Sequence, residues 1–256
     1  MSQHVLTEVH DRILRIELSR AEKKNALTLE MYRAMSEALA RAESDAQVRA
    51  VLIHGKPDCF SAGNDLGDFL HPPSDPGDRP PLVFLERIAA ARKPLVAAVG
   101  GPAVGIGTTM LLHCDFVYAS PHTRFQLPFV PLGIVPEAAS SLLLPMMAGQ
   151  RRAAELLLLG QPFDAAKAVA AGIVTAIVPE GNLLEHARGV ARALCALPPE
   201  SVRLTKELMK RGTAAAVAER MGVEGRLFQE RLSSPEAVEA FTAFFEKRKP
   251  DFSRFE

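Results

Sequence analysis

Two short loops rich in small residues have the composition of sites where a ligand approaches the main chain. The first loop, Phe60–Leu66, has the sequence FSAGNDL, and the second, Gly100–Thr109, has the sequence GGPAVGIGTT. Each follows an apolar, strand-like run and precedes a helix-like stretch. Small side chains expose backbone N–H groups, and those at the beginning of a helix attract negative charge. If the two loops converge, they form an oxyanion hole that stabilises an enolate on a carbonyl oxygen.

Neither loop by itself predicts a ligand site. A single glycine-rich turn between a strand and a helix more often serves packing, and neither loop contains a complete Walker or dinucleotide-binding fingerprint. The spacing of the histidine, cysteine, aspartate and glutamate residues does not match a metal site, so no metal or separate cofactor is expected. The pair of loops therefore needs a third group before it indicates a reaction.

Glu137 is a carboxylate whose neighbours in the sequence allow two interpretations. Its position after Pro136 favours a structural interpretation, in which the dipole of a helix over Ala138–Met147 stabilises the charge. The apolar residues between Phe125 and Val135 allow a second interpretation, because enclosure by them would raise the pKa of Glu137 toward a value useful in acid–base catalysis. The other polar residues in apolar contexts are predicted to be structural: His54, His113 and Asp115.

The elements that must position these residues belong to a layered α/β fold. Val5–Val9 and Ile13–Leu18 predict a strand pair, and Thr28 is placed to cap a helix that runs to about Ala42. Three later apolar runs are separated by loops or helical stretches, and this arrangement predicts ββα units with parallel pairing. Those runs are Ala50–Ile53, Leu95–Val99 and Phe116–Ala119. The proline-dense run Pro72–Pro81 predicts an irregular surface loop.

The C-terminal part of the chain is strongly helical. From Asp164 onward the helical pattern is broken only at Ile173–Val178, and Pro198-Pro199 marks a joint. We therefore expect a core over residues 1–197 and a helical oligomerisation region over residues 198–256. In the last helix, Ser234 and Pro235 suit the N-cap and the first turn. This helix carries an apolar stripe typical of a core or a subunit interface, formed by Val238, Phe241, Phe244 and Phe245.

The composition excludes several classes of protein. Thirty basic residues balance thirty acidic ones in a chain of 256 residues, which removes the broad attraction that nucleic-acid binding requires. No apolar run reaches the roughly 18 residues that span a bilayer. Because the N-terminus lacks a secretory pattern and the C-terminus lacks a peroxisomal address, a cytoplasmic protein is expected. Three cysteines without C-x-x-C spacing predict reduced, mostly buried thiols.

Five ordered motifs resemble the crotonase, or enoyl-CoA hydratase/isomerase, superfamily over nearly the whole chain. They are NALT at Asn25–Thr28, FSAGNDL at Phe60–Leu66, KPLVAAVGGPAVGIG at Lys93–Gly107, CD at Cys114-Asp115 and LGIVPE at Leu132–Glu137. The resemblance implies an α/β, crotonase-like spiral of ββα units with a C-terminal helical trimerisation region. It also implies a homotrimer or a dimer of trimers, and an acyl-CoA thioester substrate of which coenzyme A is a part.

The resemblance further implies roles for individual residues. Asn64 and Ile106 hold the positions of the oxyanion-hole donors, and Ile106 replaces a common glycine without removing its backbone N–H. Lys23-Lys24 is a candidate for contacting CoA phosphates, although the residues alone are equally consistent with a solvated surface pair. The other candidates for CoA or substrate binding are Ala26, Ala62, Gly63, Asp65, Leu66, Gly105, Thr109 and Phe129. Secondary candidates, for contact with a neighbouring subunit's CoA, are Phe244, Lys247 and Lys249.

The expected reaction depends on which carboxylates the chain provides. Hydratases of this family use two glutamates at positions that Thr109 and Phe129 occupy here, so hydration with two carboxylates is disfavoured. The segment PEAASS, Pro136–Ser141, resembles P-E-G-x-S of the peroxisomal-type Δ3,Δ2-enoyl-CoA isomerases. This implies that Glu137 is the acid/base that converts 3-enoyl-CoA to trans-2-enoyl-CoA, in fatty-acid or related acyl-CoA degradation.

Two alternatives to this isomerase stay open. The first is another crotonase-type activity on a CoA thioester, such as hydration or the isomerisation of a dienoyl or ring substrate. The second is a non-catalytic acyl-CoA-binding module, which would not exchange the C2 protons of its ligand with solvent.

Overall fold

The computed structural model describes residues 2–67 and 78–255. Its strands are β1 (Val5–His10), β2 (Ile13–Leu18), β3 (Ala50–His54), β4 (Leu95–Val99), β5 (Pro102–Val104), β6 (Phe116–Ala119), β7 (Arg124–Gln126), β8 (Phe163–Asp164) and β9 (Ala176–Ile177). Its α-helices are α1 (Leu29–Ser44), α2 (Pro80–Ala90), α3 (Ile106–Thr109), α4 (Ser140–Ala148), α5 (Gln150–Leu159), α6 (Ala165–Ala170), α7 (Leu183–Ala196), α8 (Pro199–Arg211), α9 (Ala214–Leu232) and α10 (Pro235–Phe245). Short 3₁₀ helices cover Ala21–Lys23, Met110–His113, Val130–Leu132 and Glu180–Asn182.

Two β-sheets form the centre of the molecule. The larger has the strand order β1-β2-β3-β4-β6-β9, with β1 antiparallel to β2 and the remaining neighbours parallel. The smaller has the order β5-β7-β8. All residues of β3 and β4 are buried, as expected for parallel strands covered on both faces. The expected α/β fold with parallel pairing is confirmed.

Helices cover both faces of the larger sheet. On one face, α1 and α2 pack together over the main hydrophobic core. On the other face, α7 buries Ala187 and Ala191 against Leu52 and Val96. The N-terminus of α1 is capped as predicted, because Thr28 Oγ1 accepts a hydrogen bond of 3.2 Å from the N–H of Met31. The capping residue recognised in the sequence therefore marks the start of α1 correctly.

Three boundaries differ from those that the sequence predicts. The helix expected from Ala138 begins at Ser140, because Ala138 and Ala139 have left-handed φ angles of 62° and 55°. Pro80 and Pro81 lie in the first turn of α2 rather than in a loop, which suits proline because the first helical N–H groups need no intrahelical acceptor. The rest of Pro72–Pro81 lies mostly outside the described residues. The break over Ile173–Val178 contains only the two-residue strand β9.

The C-terminal helices pack on the core and leave part of their apolar surface exposed. Helix α9 contacts α2 and α4, and Ser234 caps α10 by accepting a 3.2 Å hydrogen bond from the N–H of Ala237. Phe241 is buried, whereas Val238, Phe244 and Phe245 are 55%, 59% and 53% exposed. In the described parts of the chain, no helix is both long and apolar enough to cross a membrane. The division into residues 1–197 and 198–256, and the role of the latter in oligomerisation, stay predictions.

Candidate active site

The two glycine-containing loops lie side by side. The N–H of Ser61 donates to Pro102 O at 3.0 Å, and the N–H of Val104 donates back to Ser61 O at 2.9 Å. The approach is close enough to require glycine, because a Cβ on Gly63, whose φ is +93°, would lie 2.9 Å from Val104 O. A Cβ on Gly107 would lie 2.9 Å from Ser61 O. Residues separated by about forty positions thus form one continuous backbone surface.

Two N–H groups on this surface have no hydrogen-bond acceptor among the residues that the structure describes. The backbone bridge between Leu27 and Asn64 is formed by the N–H groups of Leu27 and Asp65. The N–H of Asn64 takes no part in it and donates to no other residue in the described part of the chain. Ile106 is the first residue of α3, where an N–H has no intrahelical partner, and its N–H is likewise unused within residues 2–67 and 78–255. These are the donors that the sequence assigns to the oxyanion hole.

Asn25 fastens the first loop to the segment before α1, a role that the sequence analysis did not assign. Its side chain is fully buried. Its Oδ1 accepts from the N–H of Arg20 at 2.6 Å, and its Nδ2 donates to Cys59 O and Phe60 O at 3.0 and 3.1 Å. The N–H of Ala62 also donates to Lys24 O at 2.8 Å. The feature of the sequence that could have indicated this role is the position of Asn25 in the NALT motif.

The candidate CoA-binding residues surround this junction. Lys23 and Lys24 are exposed, while Ala26 is partly buried beside them. Asp65 accepts a 2.5 Å hydrogen bond from Arg20 Nη1 and another from the N–H of Gly67. Burial raises the pKa of Asp65, but these hydrogen bonds outweigh burial and hold the pKa below its ordinary value. Asp65 is therefore ionised and helps to fix the loop, and Leu66 packs against the main core.

A cavity of about 1090 Å³ extends from the first loop toward the C-terminal helices. Asn64, Asp65 and Glu137 all line it. Helices α2 and α9 supply most of the remaining wall, largely through apolar side chains. The side chain of Asn64 is itself fixed, because its Oδ1 accepts a hydrogen bond from the hydroxyl of Tyr32. The candidate base and the first loop therefore share one cavity.

Glu137 is a buried carboxyl in this cavity. The residue is 8% exposed, and its Oε1 has no hydrogen-bond partner among the described residues. The pKa of Glu137 is raised to about 8, mainly by burial and in addition by the nearby charge of Glu224, against a small lowering by the hydroxyl of Thr109. This hydroxyl is buried and lies near the carboxyl, but no well-aligned hydrogen bond joins the two groups. Thr109 therefore has only a small effect on the pKa of Glu137.

The turn that carries Glu137 is held by polar contacts from three other positions. His113 Nε2 lies 2.9 Å from Ala138 O, a contact that places the imidazole proton on Nε2. Ser140 Oγ donates to Glu137 O at 2.6 Å. Glu224, from α9, accepts from the N–H of Ala139 at 2.6 Å. The sequence does not indicate the contacts from His113 and Glu224, because these residues stand 25 and 85 positions away from their partners Ala138 and Ala139.

Several other predicted residues have structural surroundings. Phe129 is 3% exposed in the main core and is not among the residues that line the cavity, so the cavity gives no support to its predicted contact with substrate. Asp115 is structural as predicted, since its Oδ2 accepts from the N–H of Leu95 at 2.7 Å and from Lys206 Nζ at 2.6 Å. His54 is 4% exposed, and its Nδ1 lies 2.8 Å from Gly55 O.

The cysteines and the acidic residues give no sign of a metal centre. Cys59, Cys114 and Cys195 are free thiols, and burial raises the pKa of each. Across residues 2–67 and 78–255, no group of three or more histidine, cysteine, aspartate or glutamate side chains is arranged to hold a metal ion.

Comparison with known proteins gives consistent matches over the full fold. The family model described as enoyl-CoA hydratase/isomerase matches residues 8–254. A probable enoyl-CoA hydratase of Rhizobium meliloti is 34% identical over 97% of each chain. The enoyl-CoA delta isomerase 2 of Rattus norvegicus is 36% identical over 97% of this chain and 65% of its own length. A crystal structure of an enoyl-CoA hydratase/isomerase from Pseudoalteromonas atlantica superimposes with a TM-score of 0.94 at 43% identity, covering 98% of this chain and all of that one.

Proposed function

Since the chain belongs to the enoyl-CoA hydratase/isomerase family of the crotonase superfamily, we propose that it shifts the double bond of 3-enoyl-CoA to give trans-2-enoyl-CoA. The observation that carries this proposal is the buried carboxyl of Glu137, with a pKa raised to about 8, in the cavity that begins at Asn64. Both named activities occur among its relatives, so the choice between them depends on this site.

The proposed mechanism uses one carboxylate twice. The thioester oxygen accepts hydrogen bonds from the N–H groups of Asn64 and Ile106, which stabilise the dienolate as it forms. Ionised Glu137 removes a proton from C2, and the electrons of the C2–H bond form the dienolate, whose charge lies largely on the thioester oxygen. When the dienolate collapses, a double bond forms between C2 and C3, and the electrons of the former C3–C4 double bond take the proton back from the same carboxyl at C4. The protons balance, and no second acid or base is needed. Coenzyme A serves as part of the substrate, and no other cofactor takes part.

Hydration is the runner-up activity, and the chemistry around Glu137 disfavours it. Hydration requires a group that activates water together with one that protonates the adjacent carbon. Thr109 offers only a hydroxyl, and the second nearby carboxylate, Glu224, is occupied by hydrogen bonds to Ala139 and Ser141. Incubation with a 3-enoyl-CoA, followed by the absorbance of the conjugated product, tests the proposal. Faster hydration of a 2-enoyl-CoA than isomerisation, with both assayed under the same conditions, would favour the rival.

The alternative of a non-catalytic acyl-CoA-binding module is distinguished from an enzyme by proton exchange. An enolising enzyme exchanges the C2 protons of a saturated or unsaturated acyl-CoA with deuterated solvent, whereas a module that only binds leaves them in place. We expect exchange that requires Glu137.

Cation contacts to the CoA phosphates are assigned to Lys23 and Lys24, which are exposed beside the first loop. We also propose a homotrimer or a dimer of trimers, assembled in the cytoplasm through the exposed apolar residues of α10.

The pH dependence of the reaction should report the ionisation of Glu137. Because only the carboxylate can act as base, kcat/KM should rise with pH and reach half of its plateau near pH 8, where the pKa of Glu137 lies. Lys210 also lines the cavity, and burial lowers its pKa to about 8, so it titrates in the same range. The rising limb should survive in Lys210→Met. If it disappears there, the lysine and not Glu137 is the controlling group.

The wall formed by α9 predicts a preference for long acyl chains. Gly222 and Gly225 line the cavity, and a Cβ on either would meet no atom within 4 Å. Glycine within a helix costs about 0.5–1 kcal/mol relative to alanine, and packing does not require it here. The two glycines therefore leave room that an acyl chain can fill.

We expect Gly225→Leu to lower kcat/KM for long-chain 3-enoyl-CoA by about tenfold, the effect of excluding roughly two methylene groups at about 0.8 kcal/mol each. Activity on a six-carbon substrate should change by less than threefold. Gly189→Leu on α7 is a matched control, because Gly189 also has open space around its Cβ position but does not line the cavity. Equal losses for both chain lengths would contradict the assignment of this wall to the acyl tail.

A further inference from the structure

The turn that presents Glu137 has an unfavourable backbone conformation. Ala138 and Ala139 both have left-handed φ angles, 62° and 55°, and this region is costly for any residue with a Cβ. Neither alanine has a side chain that could stabilise such a conformation by a local hydrogen bond. Alanine is also the best helix former, so the local sequence favours extending α4 toward Glu137. Contacts from elsewhere in the fold must hold the turn open.

Glu224 makes the largest group of these contacts. Its carboxylate accepts from the N–H of Ala139 at 2.6 Å, from the N–H of Ser141 at 3.0 Å and from Ser141 Oγ at 2.5 Å. The residue is 4% exposed. Helix α4 has no side-chain cap from its own N-cap residue, so a carboxylate from α9 supplies the acceptor that the N-terminus of α4 lacks.

The charge of Glu224 also acts on the base. It raises the pKa of Glu137, after the larger effect of burial. Burial raises the pKa of Glu224 as well, but its hydrogen bonds to Ser141 and Ala139 and the charge of Arg220 oppose that effect. Since Glu224 has three donors while Glu137 Oε1 has none in the described structure, we assign the resident negative charge of the pair to Glu224.

Several other titratable groups line the same cavity: Tyr32, Asp65, Asp78, Arg79, Glu86, His113, Lys210 and Arg226. His113 lies beside the turn, and burial lowers its pKa to about 4, so it is neutral where the enzyme works. Lys210 enters from the end of α8, and burial lowers its pKa to about 8. Arg220 lies next to Glu224 and donates to Ser141 Oγ at 3.1 Å. Any change assigned to Glu224 must therefore be separated from the titration of Lys210.

We propose that Glu224 is a positioning residue, which holds the turn at Ala138-Ala139 through Ala139 and Ser141 and so keeps the carboxyl of Glu137 directed into the cavity. The inference rests on the proposed role of Glu137 as the base. It differs from simple helix capping, because a cap would affect stability alone. A positioning residue also sets the rate and the pH at which Glu137 ionises.

Glu224→Gln tests this inference, because glutamine keeps the size of the side chain and removes the charge. Its amide NH₂ would face N–H and O–H donors, so the turn should lose its anchor. We expect kcat for isomerisation to fall by about 10- to 100-fold, the effect of a displacement on the order of 1 Å, with KM changed by less than threefold. The rising limb of the pH profile should move to lower pH, also in the Lys210→Met background. Glu219→Gln is the matched control, since Glu219 is an exposed carboxylate on the same helix, and it should leave both quantities unchanged.

Infrared spectroscopy follows the same carboxyl without an activity assay. The difference spectrum between wild type and Glu137→Gln isolates the protonated carboxyl of Glu137, and its disappearance with rising pH gives the pKa directly. The band should vanish at lower pH in the Glu224→Gln background. A wild type that shows no isomerisation would contradict the proposed function, while this titration would still decide the effect of Glu224 on Glu137.

A second variant covers the case in which Glu224→Gln does not fold. Ser141→Ala removes one of the three donors to Glu224 and keeps both carboxyls. It should lower kcat by a few-fold and leave KM unchanged. The inference is overturned if Glu224→Gln, or in its absence Ser141→Ala, keeps the wild-type kcat, or if the infrared band titrates at the same pH with and without Glu224.

Discussion

Glu137→Gln should lower kcat for the conversion of 3-enoyl-CoA to trans-2-enoyl-CoA by about 10²- to 10⁴-fold, the range that general acid–base catalysis contributes. Glutamine has nearly the same shape as glutamate but cannot accept the C2 proton. The cavity at Asn64 and the two backbone donors stay in place, so the Kd for acyl-CoA should change by less than threefold. Stopped assays that follow the conjugated product measure the first quantity, and calorimetric titration measures the second. Retention of most of the rate would remove Glu137 from the mechanism.

Stability provides the control for this variant. The fold raises the pKa of Glu137 from 4.5 to about 8, so between these values the native state holds a proton that the unfolded chain has released. The free energy of unfolding of the wild type should therefore fall as pH rises through this window. Glutamine does not ionise, so Glu137→Gln should gain stability relative to wild type between pH 5 and pH 8. Urea unfolding at the two pH values measures this gain, and a variant less stable at pH 8 than at pH 5, relative to wild type, would contradict the raised pKa.

Gly63→Ala should lower kcat/KM by about 10²- to 10³-fold, the effect of losing one oxyanion-hole donor. The new Cβ would lie 2.9 Å from Val104 O, at a φ of +93° that alanine rarely adopts. The first loop must then move away from the second. The N–H of Asn64, which follows directly in the chain, moves with it and no longer points to the position of the thioester oxygen. Steady-state kinetics on the same substrate, with circular dichroism as a check of folding, measure the effect.

Gly149→Ala separates backbone strain from displacement of the loop. Gly149 also has a left-handed φ, 78°, but a Cβ there would meet no atom within 4 Å, and the residue lies outside the cavity. Both variants should lose a similar amount of stability from the φ angle, on the order of 1 kcal/mol. Only Gly63→Ala should lose activity. If the two variants have the same kcat/KM, the contact between the loops does not position a catalytic donor.

The sequence alone was sufficient where the signal is local. Thr28 and Ser234 cap α1 and α10 because a hydroxyl placed before an apolar helical pattern satisfies a free N–H within three residues. The apolar runs that became β3 and β4 are buried on both faces, which indicates parallel pairing without knowledge of the partner strands. The motifs also identified the family, since their order along the chain is specific even where each motif is weak.

Local signals were wrong where the tertiary structure opposes them. Ala138 and Ala139 have a strong intrinsic preference for helix, so the sequence predicts that α4 begins at Ala138. The observed left-handed pair exists because Glu224 and His113 contact the turn from other elements. Pro80 and Pro81 were assigned to a loop on composition, although proline is also favoured in the first turn of a helix, where they are found.

The candidate site depends on contacts that only the tertiary structure decides. The sequence could name Asn64, Ile106 and Glu137, but it could not show that Ser61 and Val104 join the loops or that Glu224 lies beside Glu137. The raised pKa of Glu137 likewise depends on burial by helices distant in sequence. Periodicity and capping are properties of neighbouring residues. The dielectric surroundings of a carboxyl and the partners of a turn depend on which elements pack together, and the chain determines these only when it is folded as a whole.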